Sequence, residues 1–253
     1  MMALPHSSHA VVTGASRGIG REIASVLTRS GAIVTAIGRD KMALNDVVAA
    51  GQARFSAIAD VTDSAAVNAA IGDAASRQPI DILIANAGTA ESASFAKSDD
   101  ALFARMMDVN FMGVVHAIRA ALPSMRERPS GRIVAVASTA GLKGYAYVGA
   151  YSAAKHAVVG LVRSLAIELA ATRVTVNAVC PGFTDTNLVT GSIENIIKKT
   201  GRSRGEALAE LTRHNPQGRL VSPAEVADVV LWLCGENAAA ITGQAIAVAG
   251  GEV

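Results

Sequence analysis

Short runs of apolar, β-branched residues alternate along this chain with longer stretches whose apolar positions recur at helical spacing. That is the pattern of strand–helix–strand units around a parallel sheet buried on both faces. The runs predict strands over 9–13, 32–37, 54–58, 80–85, 132–137, 173–179 and 245–248. The periodic stretches predict helices over about 18–29, 63–76, 99–125, 150–170 and 222–234. Seven strands joined by crossovers make an α/β fold, a doubly wound Rossmann-like sheet with helices on both faces. Residues 187–220 break the rhythm: they stand where a short crossover would suffice, and they are polar, basic and helix-forming. An insertion of that length in a compact domain is usually functional or mobile. No repeat, low-complexity tract or Pro/Gly/Ser-rich linker divides the chain, so residues 1–253 are expected to form one domain.

Composition narrows the function. The 23 Lys+Arg against 21 Asp+Glu leave a net charge of +2, which gives no argument for nucleic acid or an anionic membrane as a partner. With 51% hydrophobic and 17% charged residues, the chain is too apolar to be disordered and can bury a large core. Two cysteines, Cys180 and Cys234, build neither a disulfide framework nor a multi-cysteine zinc site. A reduced cytoplasmic setting is expected. The first nine residues carry no basic stretch followed by an apolar one, and no uninterrupted apolar run of about 18 residues follows, so a soluble, unprocessed protein is expected. No His/Cys/Asp cluster suggests a metal.

The first strand runs into Thr13-Gly14-Ala15-Ser16-Arg17-Gly18-Ile19-Gly20 and then a helix. Glycines at 14, 18 and 20 let the backbone turn tightly, approach a pyrophosphate and pack helix on strand, with the helix N-terminus facing the phosphates. A glycine-rich turn without a ligand is the competing reading, and the placement between strand and helix weighs against it. The second strand ends Gly38-Arg39-Asp40, where such a site reads the adenosine ribose. With Gly38 at the reading position, Arg39 and Arg17 converge on a 2′-phosphate and favour NADP over NAD. Asp40, one residue on, is the competing reader. After the third strand, Asp60-Val61 offers a carboxylate to the adenine amino group or, with equal weight, a cap to the next helix. Asn86-Ala87-Gly88 after the fourth strand lets backbone approach the cofactor ribose.

Ser138 follows the fifth strand, and Tyr151 and Lys155 lie four apart on the next long helix, hence on one face. A free tyrosine has a pKa near ~10 and exchanges protons poorly at neutrality unless a nearby ammonium favours its phenolate. Lys155 supplies that charge, Ser138 a hydroxyl for a carbonyl oxygen, and Asn110 can order a water behind the lysine. A lone Tyr-x-x-x-Lys is usually only a helix face; its company here reverses that reading.

With Thr13-Gly14-x-x-x-Gly18-x-Gly20, Asn86-Ala87-Gly88, Asn110, Ser138, Tyr151-x-x-x-Lys155 and Pro181-Gly182 in order, the sequence resembles the classical short-chain dehydrogenase/reductase family over nearly its whole length. The resemblance implies that Tyr151 is the acid/base, Ser138 polarises the carbonyl, Lys155 holds the nicotinamide ribose and lowers the tyrosine pKa, and Asn110 completes a proton relay. It implies that Pro181, Gly182, Phe183, Thr184 and especially Thr186 hold the nicotinamide carboxamide, and that about 187–220 is a substrate lid. Two departures stand out: Ala85 replaces a usual asparagine, and Ala249 replaces a usual acid before Gly250-Gly251. The gap of four between Tyr151 and Lys155 speaks against the divergent enoyl-reductase branch.

The expected reaction interconverts a ketone and a secondary alcohol. Local segments resemble 3-oxoacyl-thioester reductases, 3-hydroxyacyl-CoA dehydrogenases and polyketide ketoreductases. The lid's Lys198, Lys199, Arg202, Arg204, Arg213 and Arg219 suit the phosphates of an acyl-CoA or acyl-carrier thioester, although a solvated face is the favoured reading of that charge. A free cyclic or aryl ketone is the alternative substrate. A nucleotide-binding regulator without turnover is opposed by the intact catalytic set, and an epimerase or dehydratase by the want of a larger C-terminal substrate domain. Tyr145 and Tyr147 lie between Ser138 and Tyr151, where packing or surface placement is favoured over lining the pocket beside His116 or His214. Cys180 is expected to be a small core residue. The resemblance implies pairing of the two long helices between subunits in a homotetramer or homodimer.

Overall fold

The computed structural model describes Leu4 and residues 7–253. Seven strands, β1 His9–Thr13, β2 Ile33–Gly38, β3 Phe55–Ile58, β4 Ile82–Ala85, β5 Gly131–Val136, β6 Val174–Pro181 and β7 Ala245–Val248, form one sheet in the order β3-β2-β1-β4-β5-β6-β7. All neighbours pair parallel. Around it pack α1 Gly18–Arg29, α2 Lys41–Ala49, α3 Ser64–Arg77, α4 Asp100–Met107, α5 Gly113–Arg126, α6 Gly149–Glu168, α7 Asn187–Thr200, α8 Arg204–Thr212 and α9 Pro223–Cys234.

Strand periodicity divides the core in two. Val11, Leu83, Ala85, Ile133, Ala135 and Val176 point into the layer under α3, α5 and α6, where Ile71, Ala117, Ala121 and Val162 meet them. The alternate residues Ala10, Val12, Ile82, Ile84, Val134 and Val179 point into the opposite layer with Ile23, Leu27, Val226 and Val230 of α1 and α9. Side chains alternate across a strand, so continuous apolar runs are what a sheet covered on both faces requires. The strand order reverses between β1 and β4, and the loops after these two strands open a crevice outside their carboxyl ends, the usual ligand position in such sheets.

Three elements differ from the sequence reading. The helix expected over 99–125 is divided by a π turn, Asp108–Met112, between α4 and α5. α2 was not expected: only Leu44 and Val47 of its nine residues are buried, too few to set a helical period. The 187–220 insertion is two helices, α7 and α8, with a small core of their own in which Val189, Ile193, Ala207 and Leu211 pack with Phe183 and Leu220. The run Asp100–Arg126 is long and apolar enough to cross a membrane by length and composition alone; here Val114, Ala117, Ile118 and Ala121 bury one face of it in the core.

Candidate active site

The glycine loop is shaped by close approach. Gly14 has φ +66°, and a Cβ there would lie 2.8 Å from the Ala87 Cα; Gly18 has φ +55°. A Cβ on Gly20 would collide with the Asn86 side chain and the Gly14 carbonyl. Gly14 and Gly20 leave no room for a Cβ, and Gly18 holds a backbone conformation that side chains strain. The α1 N-terminus begins at Gly18, with Arg17 at the cap and no side-chain cap bond, so its amides face the crevice. This bare, cationic, glycine-lined turn suits a pyrophosphate.

Asn86 holds the loop after β4 against the glycine loop through its side chain. Its side-chain amide donates to the carbonyls of Thr13 (3.0 Å) and Gly14 (3.2 Å). The backbone amides of Asn86 and Ala87 in turn donate to Thr13 Oγ1 at 3.0 and 3.2 Å. The two loops are thus stapled together by a threonine whose role the sequence reading did not assign, although its place just before the first glycine was visible. Ser16 lies beside Gly38, and Ile19 packs against the core layer of α1 and α9.

At the adenosine end, Asp40 is committed: its carboxylate caps α2 by accepting from the Ala43 amide at 3.1 Å. Gly38 is buried. Arg39 stands exposed at the rim, 3.3 Å from Asp60. Asp60 also accepts from the Thr62 amide (3.0 Å) and hydroxyl (2.8 Å), and the amide bond chiefly holds its carboxyl below the usual range. The cap of α3 is Asp63 and not Asp60, which corrects the alternative considered for that acid. Val61 packs against Gly113, and its carbonyl is bonded to His116 Nδ1 at 2.8 Å, which engages that histidine in packing α5 against the loop after β3.

The chemical residues meet at the carboxyl edge of the sheet. Asn110 sits in the π turn, fully buried. Its side-chain amide donates to the Met106 carbonyl (3.1 Å), and its Oδ1 accepts from the Thr89 amide (3.2 Å). Such turns concentrate at functional sites because one extra residue re-aims a side chain. Gly88 fits between: a Cβ there would lie 2.8 Å from Asn110 Oδ1 and 3.6 Å from Lys155 Nζ. Ser138 leaves β5 and accepts from the Ala140 amide at 3.1 Å, which fixes its rotamer.

Tyr151 and Lys155 share one face of α6, with Nζ 5.8 Å from the phenol centroid. The Lys155 ammonium is buried and donates to the Val136 carbonyl at 2.9 Å. Burial lowers its pKa to about 8. Burial also raises the Tyr151 phenol above its ordinary value, and the hydrogen bond with Ser138 draws part of that back. The shift found here runs upward, opposite to the lowering by Lys155 expected from the sequence. Cys180, at the end of β6, is fully buried, and its thiol is pushed up to about 11 by burial, so it is inert packing.

The loop after β6 completes the rim. Pro181 pairs with Val248 of β7, Thr184 bonds its own turn through the Gly182 carbonyl (3.0 Å), and Phe183 joins the lid core. Thr186 caps α7 and approaches the glycine loop, 3.4 Å from where a Gly18 Cβ would stand. The lid therefore begins directly over the α1 N-terminus. Tyr147 is exposed with φ +67°, and Tyr145 is edge-on to both Phe183 and His214. Sequence reasoning missed Glu252, whose side chain is 1% exposed and paired with Lys143 at 3.2 Å; nothing in its local pattern marks it as buried.

The short chain dehydrogenase family matches residues 8–196. A putative ketoacyl reductase of Streptomyces coelicolor is 38% identical over 99% of this chain and 98% of its own length. The cis-4-hydroxycyclohexanecarboxylate dehydrogenase of Sinomonas cyclohexanicum is 38% identical over 96% of this chain and 95% of its own. Among solved structures, an actinorhodin polyketide ketoreductase variant with NADPH superposes with a TM-score of 0.93 at 37% identity, covering 97% of both chains. Crevice, catalytic edge and these likenesses over nearly the full length agree, and the chain belongs to the short-chain dehydrogenase family of dinucleotide-binding oxidoreductases.

Proposed function

We propose that this chain is an NADP(H)-dependent oxidoreductase that interconverts a ketone and a secondary alcohol, with Tyr151 as general acid in reduction and general base in oxidation. The observation that carries it is the meeting of Ser138, Tyr151, buried Lys155 and Asn110 at one sheet edge beside the glycine loop. When bound, the nicotinamide supplies the hydride. The residues of this chain position and protonate: Ser138 holds the carbonyl oxygen, Tyr151 gives it a proton, and Lys155 binds the nucleotide ribose with Asn110 ordering the proton path behind it. A phenol raised by burial is protonated at neutral pH, as reduction needs, and Lys155 is still largely charged there.

NADP is favoured because Asp40 is spent on capping α2, while Arg39, paired with Asp60 at the exposed rim, joins Arg17 as the cations at the ribose end. The substrate we favour is a 3-oxoacyl compound carried as a thioester, supported by relatives named ketoacyl reductases. The lid adds less than its composition suggested. Arg202 and Arg213 are paired with Glu210, and Arg219 with Glu225, which leaves Lys198, Lys199 and Arg204 as its unpaired cations among the described residues. A free cyclic ketone is the second reading, supported by the relative named for a hydroxycyclohexane carboxylate. The proposed enzyme is a homodimer or homotetramer paired through the long helices.

Initial rates with NADPH and NADH, across short 3-oxoacyl-CoA esters and cyclic and aryl ketones, test the reading. Thioester turnover with NADPH is expected; turnover of cyclic ketones alone would move the substrate to the second reading, and a preference for NADH would overturn the roles of Arg17 and Arg39.

A further inference from the structure

The substrate side of the site is bordered by a charged cluster that the reaction does not require. After β7 the chain turns through Gly250 and Gly251 and sends the Glu252 carboxylate inward, 1% exposed. Its Oε1 is hydrogen-bonded by the Tyr145 hydroxyl and lies 3.2 Å from Lys143 Nζ. The same ammonium donates to the Glu252 backbone carbonyl at 3.1 Å. Tyr145 is also bonded to Thr139 Oγ1 at 2.6 Å, and Thr139 directly follows Ser138. The other carboxylate oxygen is flush against the next loop: a Cβ on Gly182 would lie 3.1 Å from Glu252 Oε2. The Tyr145 ring stands edge-on to Phe183 (6.1 Å) and His214 (5.9 Å).

One carboxylate therefore bonds the loop after β5 and packs beside the first residue of the loop after β6. A phenol has a single proton, and the ionised oxygen is its stronger acceptor. The Tyr145 proton thus goes to Glu252, and the Thr139 hydroxyl donates to the phenol oxygen. That chain of bonds has one direction and one geometry, whereas an apolar plug would fill the space without fixing either. Burying a carboxylate is costly unless it is well bonded, so a bare tether for the chain end would not call for one.

We propose that Glu252 is a positioning residue of this site: through Tyr145 and Lys143 it ties the chain end after β7 to the loop after β5, which carries Ser138, while its carboxylate packs against Gly182 at the start of the loop after β6. The proposal rests on the ketoreductase reading for its kinetic effect but not for its structural one. Glu252 acts through Tyr145 and Lys143, and so sets the spacing between the loop that carries Ser138 and the loop that begins at Gly182.

The test measures amide hydrogen exchange in the nucleotide-free protein together with kinetics, for Glu252→Gln, Tyr145→Phe and the double variant. Exchange over 139–147 and 182–186 is expected to quicken about tenfold in each variant while β1 keeps its protection. The kcat for the ketone is expected to fall about tenfold at unchanged KM for NADPH. The double variant should be no worse than either single one, because both cut the same chain of bonds. Tyr145→Phe keeps the ring packing and so decides the matter if Glu252→Gln does not fold. Wild-type exchange at both loops in folded variants, or additive losses in the double variant, would overturn the proposal. A wild-type protein that turns over no ketone would overturn the ketoreductase reading instead, and the exchange result would stand apart from it.

Discussion

Lys155 shows how function and stability oppose each other at a single residue. Its pKa is lowered from 10.5 to about 8 by burial, so the unfolded chain holds its proton more tightly than the folded one. The cost to the fold is complete below about 8 and is relieved as pH rises toward the ordinary value. A shift of that size corresponds to roughly 3 kcal/mol. Lys155→Met should therefore raise the urea midpoint at pH 7 while abolishing turnover; an unchanged or lower midpoint would show that the Val136 bond outweighs the burial cost. Reductive kcat/KM should fall as pH rises through about 8, when Lys155 of the free enzyme loses its proton. Tyr151→Phe should bind NADPH with wild-type affinity and lose about 10³-fold in kcat, as read by fluorescence titration and initial rates. These residues were legible in the sequence because a spacing of four on a helix is itself geometry. Asp40 and Glu252 were not: which carboxylate caps a helix and which is buried depends on contacts distant in sequence.

At the scale of elements, the glycine loop is specified by what cannot be there. Gly14→Ala would set a Cβ 2.8 Å from the Ala87 backbone at φ +66°, so the loop must shift away from Asn86. NADPH affinity should drop at least about tenfold, with a stability loss of about 1–3 kcal/mol; calorimetric titration and urea melts measure the two separately, and unchanged affinity would deny the loop its role. The strands were legible because burial on both faces leaves continuous apolar runs, and the order of elements followed from them. The π turn was not. One extra residue at Asp108–Met112 leaves apolar positions on both sides still helical in period, and the wider backbone hydrogen-bonding of the turn, which the sequence does not show, makes the break. α2 escaped notice because its exposed face is most of it.

Across the whole molecule, the catalytic edge and its opposite end respond differently to pH. At the far end of β1, His9 is buried, bonded through Nδ1 to the Gln78 carbonyl (2.7 Å) and through Nε2 to Thr35 (2.9 Å). Burial lowers its pKa against the opposing pull of the Gln78 bond and Asp81. The unfolded histidine takes its proton near the ordinary value of 6.5 while the folded one does not, so stability is lost as pH falls below that value. Urea midpoints measured from pH 7 to pH 5.5 should decline, and less steeply in His9→Gln; equal slopes would assign the decline to other groups. The central claim, that this edge moves a hydride to a ketone under the control of Tyr151, is tested most directly by isotope. Reduction of an accepted ketone with NADPH deuterated at the transferring position should place one deuterium on the carbinol carbon with wild-type protein, and Tyr151→Phe should bind the nucleotide yet form almost no labelled alcohol. A product without deuterium, or a Tyr151→Phe variant that labels it at the wild-type rate, would contradict the account.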